Sequence, residues 1–176
     1  KMLGDKAPAN QRLRRGALIR IQKDDKGQWQ ITQLPHVEAA LVSMNPQDGA
    51  IRSLVGSFDF ARNKYNHITQ ALRQPGSSFK PFIYSAALEK GFTPATIING
   101  KFDGPMRMRM ALVKSKNLVS VRILQSITPQ YAQDYITRFG FDAKYHPPYL
   151  TMALGAGNVT PMQMVAGYSI FANGGY

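Results

Sequence analysis

Pro81 sits inside a stretch of helical periodicity, Gln74 to Gly91, and so dictates where that helix can begin. A proline ring has no amide hydrogen and clashes with the turn before it, so it is tolerated only in a first turn. Pro75-Gly76 is a turn signal on the upstream side. Gly91 stands where a residue just past a helix end usually stands, with Lys90 in the last turn. Between them Phe79, Phe82, Ile83, Ala86 and Ala87 recur at the spacing of a buried, amphipathic helix. That helix must begin near Ser77.

The start position carries chemistry. Residues three apart share a helical face, so the Ser77 hydroxyl and the Lys80 amine can meet. A lysine kept neutral by burial or by a second cation can take the serine proton. The helix N-terminus, with its free amide hydrogens and partial positive charge, favours a developing oxyanion. Ser78 cannot play the same part, because the residue three on is Pro81. Ser-x-x-Lys alone is a weak signal, with roughly 0.6 matches expected by chance in a chain of this composition. The plain reading of an isolated match is a capping serine and a solvated lysine.

A chain of 176 residues with 44% hydrophobic and 18% charged residues is one globular domain's worth. No run approaches the length of apolar sequence needed to span a bilayer, and no signal peptide is visible. With no cysteine, disulfides and thiolate metal sites are excluded. No cofactor or metal site is expected. The net charge of +12 points to anionic partners. Clusters at Arg12-Leu13-Arg14-Arg15 and Arg107-Met108-Arg109 lack the interleaved aromatics of a nucleic-acid module, so no nucleic-acid partner is expected.

In order along the chain, Lys1 to Arg15 is polar, basic and aperiodic, a linker or tail. Gly16 to Lys23 and Gln28 to Gln33 are strand candidates around Asp24-Asp25-Lys26-Gly27, with Trp29 and Ile31 on one packing face. Val37 to Met44 suits a buried strand, Asn45-Pro46-Gln47-Asp48-Gly49 a turn, and Ala50 to Gly56 the return strand. His67 has no second ligand at metal spacing and reads as structural. Phe92 to Asn99 begins a loop. Gly104-Pro105 opens a helix over Met106 to Lys114 with Met106, Met110 and Val113 inward. Ser115-Lys116-Asn117 interrupts it before a helix from Leu118 to Ile127, with Leu118, Val121, Leu124 and Gln125 at helical spacing. Thr128-Pro129 starts another, stopped by Gly140. Thr160-Pro161-Met162-Gln163 is a capping box opening a helix to Ala172. Strands followed by a block of helices indicate an α+β fold.

Ser115-x-Asn117, at a junction between helical segments, can present a hydroxyl and a carboxamide to Lys80. The hydroxyl could relay a proton to a leaving group, and the amide could hold substrate and bond the lysine. A second match, Ser43-Met44-Asn45, lies at a strand–turn junction and reads as structural.

Gln74 to Phe82 together with Lys114 to Ser120 resemble the first two active-site motifs of penicillin-binding proteins. The Leu41 to Gly56 hairpin, Phe58-Asp59-Phe60, and Ala153-Leu154-Gly155 through Gly175 are similar to the bifunctional, class A branch; the likeness covers roughly residues 37 to 176. It implies a five-stranded antiparallel sheet flanked by helices, with the serine helix central. It also implies a peptidoglycan D,D-transpeptidase, with Ser77 as nucleophile on D-Ala-D-Ala stem peptides and Lys80 as general base. Ser115 would be the proton relay and Asn117 would position substrate. β-Lactams would acylate Ser77. In class A members the domain is tethered to the inner (cytoplasmic) membrane beside a glycosyltransferase domain, facing the periplasm, so an anchor is expected outside this chain.

Three features depart from the family pattern. Its third motif, Lys-Thr/Ser-Gly on an edge strand, is absent, which predicts a fold incomplete at the C-terminus. Asn99-Gly100-Lys101-Phe102 is short where the class has a longer loop. No glycosyltransferase motif is present, and residues 1–36 would be a linker or the tail of a small inserted β-domain, with 37–176 a partial transpeptidase domain. Two other enzymes share the first motifs, a serine β-lactamase and a D,D-carboxypeptidase; the former needs a deacylating base, and only Asp134 and Asp142 follow Asn117. A basic, non-catalytic binding module is the reading from outside enzymology.

Overall fold

The computed structural model describes residues 13, 15–32, 35, 37–100 and 104–175. They fall into two compact units, Lys1–Glu38 and Ala39–Tyr176. Apart from Leu13 and Arg15, the expected tail over Lys1 to Arg15 lies outside the described residues, as does the short loop at Lys101-Phe102.

In the first unit β1 (Arg20–Lys23) pairs antiparallel with β2 (Trp29–Thr32). Asp24 closes the hairpin by accepting from the amides of Lys26 and Gln28 at 3.0 and 2.9 Å. Trp29 does not pack as the alternation suggests. It remains 63% exposed, with the Lys23 ammonium 5.1 Å from its ring centroid.

The second unit is built around α1 (Lys80–Glu89), preceded by a 3-10 turn over Gly76–Phe79. Pro81 lies in the first α-helical turn, so the α-helix proper starts at Lys80 and a tighter turn carries Ser77. Phe79, Phe82, Ile83, Ala86 and Ala87 are all fully buried. Lys80 and Tyr84 are buried too, so α1 is enclosed around most of its girth rather than amphipathic. Rings of Phe79, Phe82, Phe139 and Phe141 meet edge-on or tilted at centroid separations of 4.8–5.4 Å. Gly91 ends the helix at φ 88°, with its amide on Leu88 O and that of Phe92 on Ala87 O, the two bonds of a Schellman turn.

Around α1 pack α3 (Asn117–Ile127), α4 (Pro129–Ile136) and α5 (Pro161–Ala172). The buried face of α3 is Val119, Ser120, Ile123, Leu124 and Ile127, one residue round from the face expected through Leu118 and Val121. α5 opens with the predicted capping box, in which Thr160 Oγ1 accepts from Gln163 N and Gln163 Oε1 accepts from Thr160 N.

Three strand expectations change. The hairpin of β3 (Leu41–Met44) and β4 (Ile51–Val55) forms, but β3 is shorter than Val37 to Met44 and only half-buried on alternate residues. The loop after α1 contains β5 (Ile97–Gly100), which pairs with β6 (Gly104–Arg107). Pro105 therefore sits in an edge strand rather than opening a helix, and α2 (Met108–Val113) starts later. Its first amides are taken by carbonyls, Met108 N by Thr96 O and Arg109 N by Pro94 O. That shift buries Met108 and Ala111 and leaves Met110 and Val113 exposed. Among the described residues all sheets are two-stranded, so the five-stranded sheet implied by the resemblance is not formed among them. The β5–β6 hairpin between α1 and α2 interrupts the expected run of strands followed by helices, while the antiparallel pairing throughout is that of an α+β fold.

A loop from Leu154 to Val159 braces the turn that bears Ser77. Arg73 and Val159 exchange backbone bonds, and Gln74 Nε2 donates to Ala156 O at 3.1 Å. A Cβ on Gly155 would lie 2.1 Å from Gly76 O, and Gly155 has φ 70°. Gly155→Ala is expected to destabilise the fold by about 3 kcal/mol or more, from left-handed strain plus displaced backbone. Thermal unfolding should register this as a fall of roughly 6–12 °C.

Candidate active site

Ser77 is exposed in the 3-10 turn, where side chains at i and i+3 eclipse, so its position stands over Lys80. Neighbouring residues fix that turn. Phe79 stacks on His146 at 4.8 Å between ring centroids, and Tyr168 Oη donates to Ser78 O at 2.8 Å. Phe79 and Lys80 point into the core while Ser77 and Ser78 face out.

Lys80 is 1% exposed. A buried ammonium costs several kcal/mol unless its donors are met. All three are: Nζ donates to Ser115 O at 2.7 Å, Ser115 Oγ at 3.0 Å and Asn117 Oδ1 at 2.7 Å. Burial pushes the amine below its ordinary value. The structure thus brings Lys80, Ser115 and Asn117 together across more than thirty positions of sequence. It does not join Ser77 to Lys80 by a hydrogen bond, as one shared face suggested. The lysine's hydrogens are committed to the second motif, and Ser77 contributes only its carbonyl, which accepts from the Lys80 amide.

Ser115 meets Lys80 through an unusual backbone. It has φ 48°, one of two non-glycine residues with positive φ among those described. Its amide donates to Leu112 O and that of Lys116 to Ala111 O, both at 2.9 Å. Those are the two bonds of a Schellman turn closing α2, with Ser115 in the position that glycine usually fills, as Gly91 does for α1. The left-handed residue turns its carbonyl and its hydroxyl toward the same amine. Lys116 is extended, at φ −71° and ψ 113°, and α3 then begins at Asn117, whose side chain supplies the third acceptor.

The other candidates are accounted for by structure. Asn45 of the second Ser-x-Asn match accepts from the Gln47 amide in the β3–β4 turn. His67 Nδ1 lies 2.9 Å from Gly56 O. Among the described residues no group of His, Cys, Asp or Glu could hold a metal ion. Asp142 caps its own turn and pairs with Lys144 at 2.7 Å. Sequence reasoning missed the supports, His146 and Gly155. The glycines at 155 and 157 were the available signal, since a Cβ at 157 would lie 2.2 Å from the His146 ring.

Residues 39–176 match the family model described as penicillin-binding protein transpeptidase domain, and residues 1–37 that of the penicillin-binding protein OB-like domain. The chain belongs to the penicillin-binding protein transpeptidase family. It is 46% identical to penicillin-binding protein 1A of Neisseria meningitidis, over 94% of this chain and 23% of that protein. It is also 46% identical to that of Pseudomonas aeruginosa, over 92% of this chain and 22% of the relative. The crystal structure of penicillin-binding protein 1A from Haemophilus influenzae superposes with a TM-score of 0.76 at 37% identity, covering 87% of this chain and 26% of that one. The chain thus spans about a quarter of the length of these relatives. The Neisseria alignment runs over 187 positions against 176 residues here, so it includes positions with no counterpart in this chain.

Replacing Ser115 by glycine sets backbone strain against the satisfaction of buried Lys80. Ser115→Gly relieves left-handed strain of about 1 kcal/mol, offset in part by extra freedom of the unfolded chain. It also removes one of the three acceptors of buried Lys80, worth roughly 1.5–3 kcal/mol, so thermal unfolding should move down by a few degrees rather than up. Reaction with a β-lactam should fall by about a hundredfold as the hydroxyl is lost.

Proposed function

We propose that this chain carries the acyl-transfer centre of a peptidoglycan D,D-transpeptidase. The observation that carries the reading is the Lys80 ammonium, buried one turn below Ser77 and bonded at once to Ser115 and Asn117. In the reaction the Ser77 hydroxyl oxygen attacks the carbonyl carbon of the penultimate D-alanine of a stem peptide, and its proton passes to neutral Lys80. Burial of Lys80 favours that neutral state. As the tetrahedral intermediate collapses, the proton returns through the Ser115 hydroxyl, which lies 3.0 Å from Nζ, to the departing amine of the last D-alanine. Asn117 would hold the substrate amide. The acyl-serine then reacts with an amine of a neighbouring stem peptide, completing a cross-link. A β-lactam would acylate the same oxygen by ring opening.

Slow reaction of the acyl-enzyme with water is part of this reading. Asp142, one of the two acids after Asn117, is tied to Lys144 and to its own turn, which leaves it poorly suited to activating water in the manner of a β-lactamase. The transpeptidase-family match over 39–176, the OB-like segment before it and the likeness to penicillin-binding protein 1A support a class A bifunctional protein. Its membrane anchor and glycosyltransferase domain would lie outside this chain, with the catalytic face in the periplasm. No helix among the described residues is long and apolar enough to cross a membrane.

The test is labelling of the full-length protein with a fluorescent penicillin. Stable label that disappears in Ser77→Ala supports the transpeptidase. Rapid turnover of the label would identify a β-lactamase, and an unlabelled wild type a non-catalytic module. The labelling rate should rise with pH along a limb set by Lys80. Because burial lowers that amine from 10.5, the limb is expected below 10.5, and Lys80→Met should abolish it.

A further inference from the structure

The Ser115–Asn117 junction is held from beneath by a polar pair that the acyl-transfer reading does not use. Tyr84 lies one helical turn beyond Lys80 on α1 and is 3% exposed, and Ser120 on α3 is fully buried. Their hydroxyl oxygens are 3.3 Å apart. Ser120 Oγ donates onward to Lys116 O at 3.0 Å, and Ser120 N donates to the same carbonyl at 3.2 Å. The direction of the chain follows: with the Ser120 hydrogen committed to Lys116 O, the Tyr84 phenol donates to Ser120 Oγ. Desolvation raises the phenol above its ordinary value and keeps it a donor.

Lys116 is the residue between the two that hold Lys80. Its amide is fixed on Ala111 O and its carbonyl on Ser120, so the backbone is clamped on both sides. α3 has no side-chain cap at this end, and Lys116 is extended rather than helical. The orientation of the Ser115 carbonyl and of the Asn117 side chain therefore depends on where that clamped peptide lies. α1 reaches the junction at two levels, through Lys80 directly and through Tyr84 by way of Ser120.

We propose that Tyr84 and Ser120 are positioning residues for acyl transfer, holding the Lys116 peptide so that Ser115 and Asn117 converge on Lys80. This rests on the acyl-transfer reading above. Neither residue touches substrate; both act through the junction, where a displacement of about 1 Å can cost as much as a hundredfold in rate.

The test measures acylation of the full-length protein by a fluorescent penicillin over a range of concentrations, resolving the acylation rate constant from the dissociation constant of the initial complex. Tyr84→Phe and Ser120→Ala are each expected to lower the rate constant by about tenfold with the dissociation constant unchanged. The double variant should lose little more than either single one, because both break one chain of bonds. Should Tyr84→Phe fail to fold, Ser120→Ala alone decides through the same split. Wild-type rate constants in the folded variants, losses confined to the dissociation constant, or losses that multiply in the double variant would each overturn the proposal. An unlabelled wild type would instead sink the acyl-transfer reading on which it stands.

Discussion

An ammonium group inside a protein must be satisfied or neutralised, and that requirement at Lys80 organises the second unit. Three acceptors within 3.0 Å meet it, and they belong to a turn far away in sequence. Charge-assisted bonds of this kind contribute roughly 1.5–3 kcal/mol each, against a desolvation cost of several kcal/mol. The balance is close. A lysine so placed can hold its proton or release it at modest cost, as the proposed role of base and then acid needs.

The rest of the scaffold keeps that balance from relaxing. Aromatic packing from Phe79 to Phe141 anchors the helix start, and the Gly155 loop closes over Gly76 where no side chain would fit. Strain is placed at Ser115, where glycine would be easier for the backbone but would carry no hydroxyl. Backbone strain is tolerated there because the side chain it carries meets a donor of buried Lys80.

Much of this was legible from local rules. Pro81 located the helix start to within a few residues, because a missing amide hydrogen is a local constraint. The capping box at Thr160 and the stop at Gly140 are equally local. Misreadings arose where two local solutions compete. Gly104-Pro105 suits both a helix opening and an edge strand, and pairing with Ile97–Gly100 chose the strand. The Met110 and Val113 stripe followed the wrong helix start, so its phase was wrong as well. In α3 a register one residue round placed Ser120 inside, and with it the contact to Tyr84.

The chain alone determined which groups were present and where its elements could start and stop, since proline, glycine and capping side chains act through neighbours a few bonds away. The likeness of its two motifs to one family was also readable there. Which acceptors hold Lys80, which way Ser115 turns and how α1 meets α3 were decided only in the folded molecule. Those outcomes depend on contacts between residues more than thirty positions apart, where close packing permits one arrangement and local sequence expresses no preference among several.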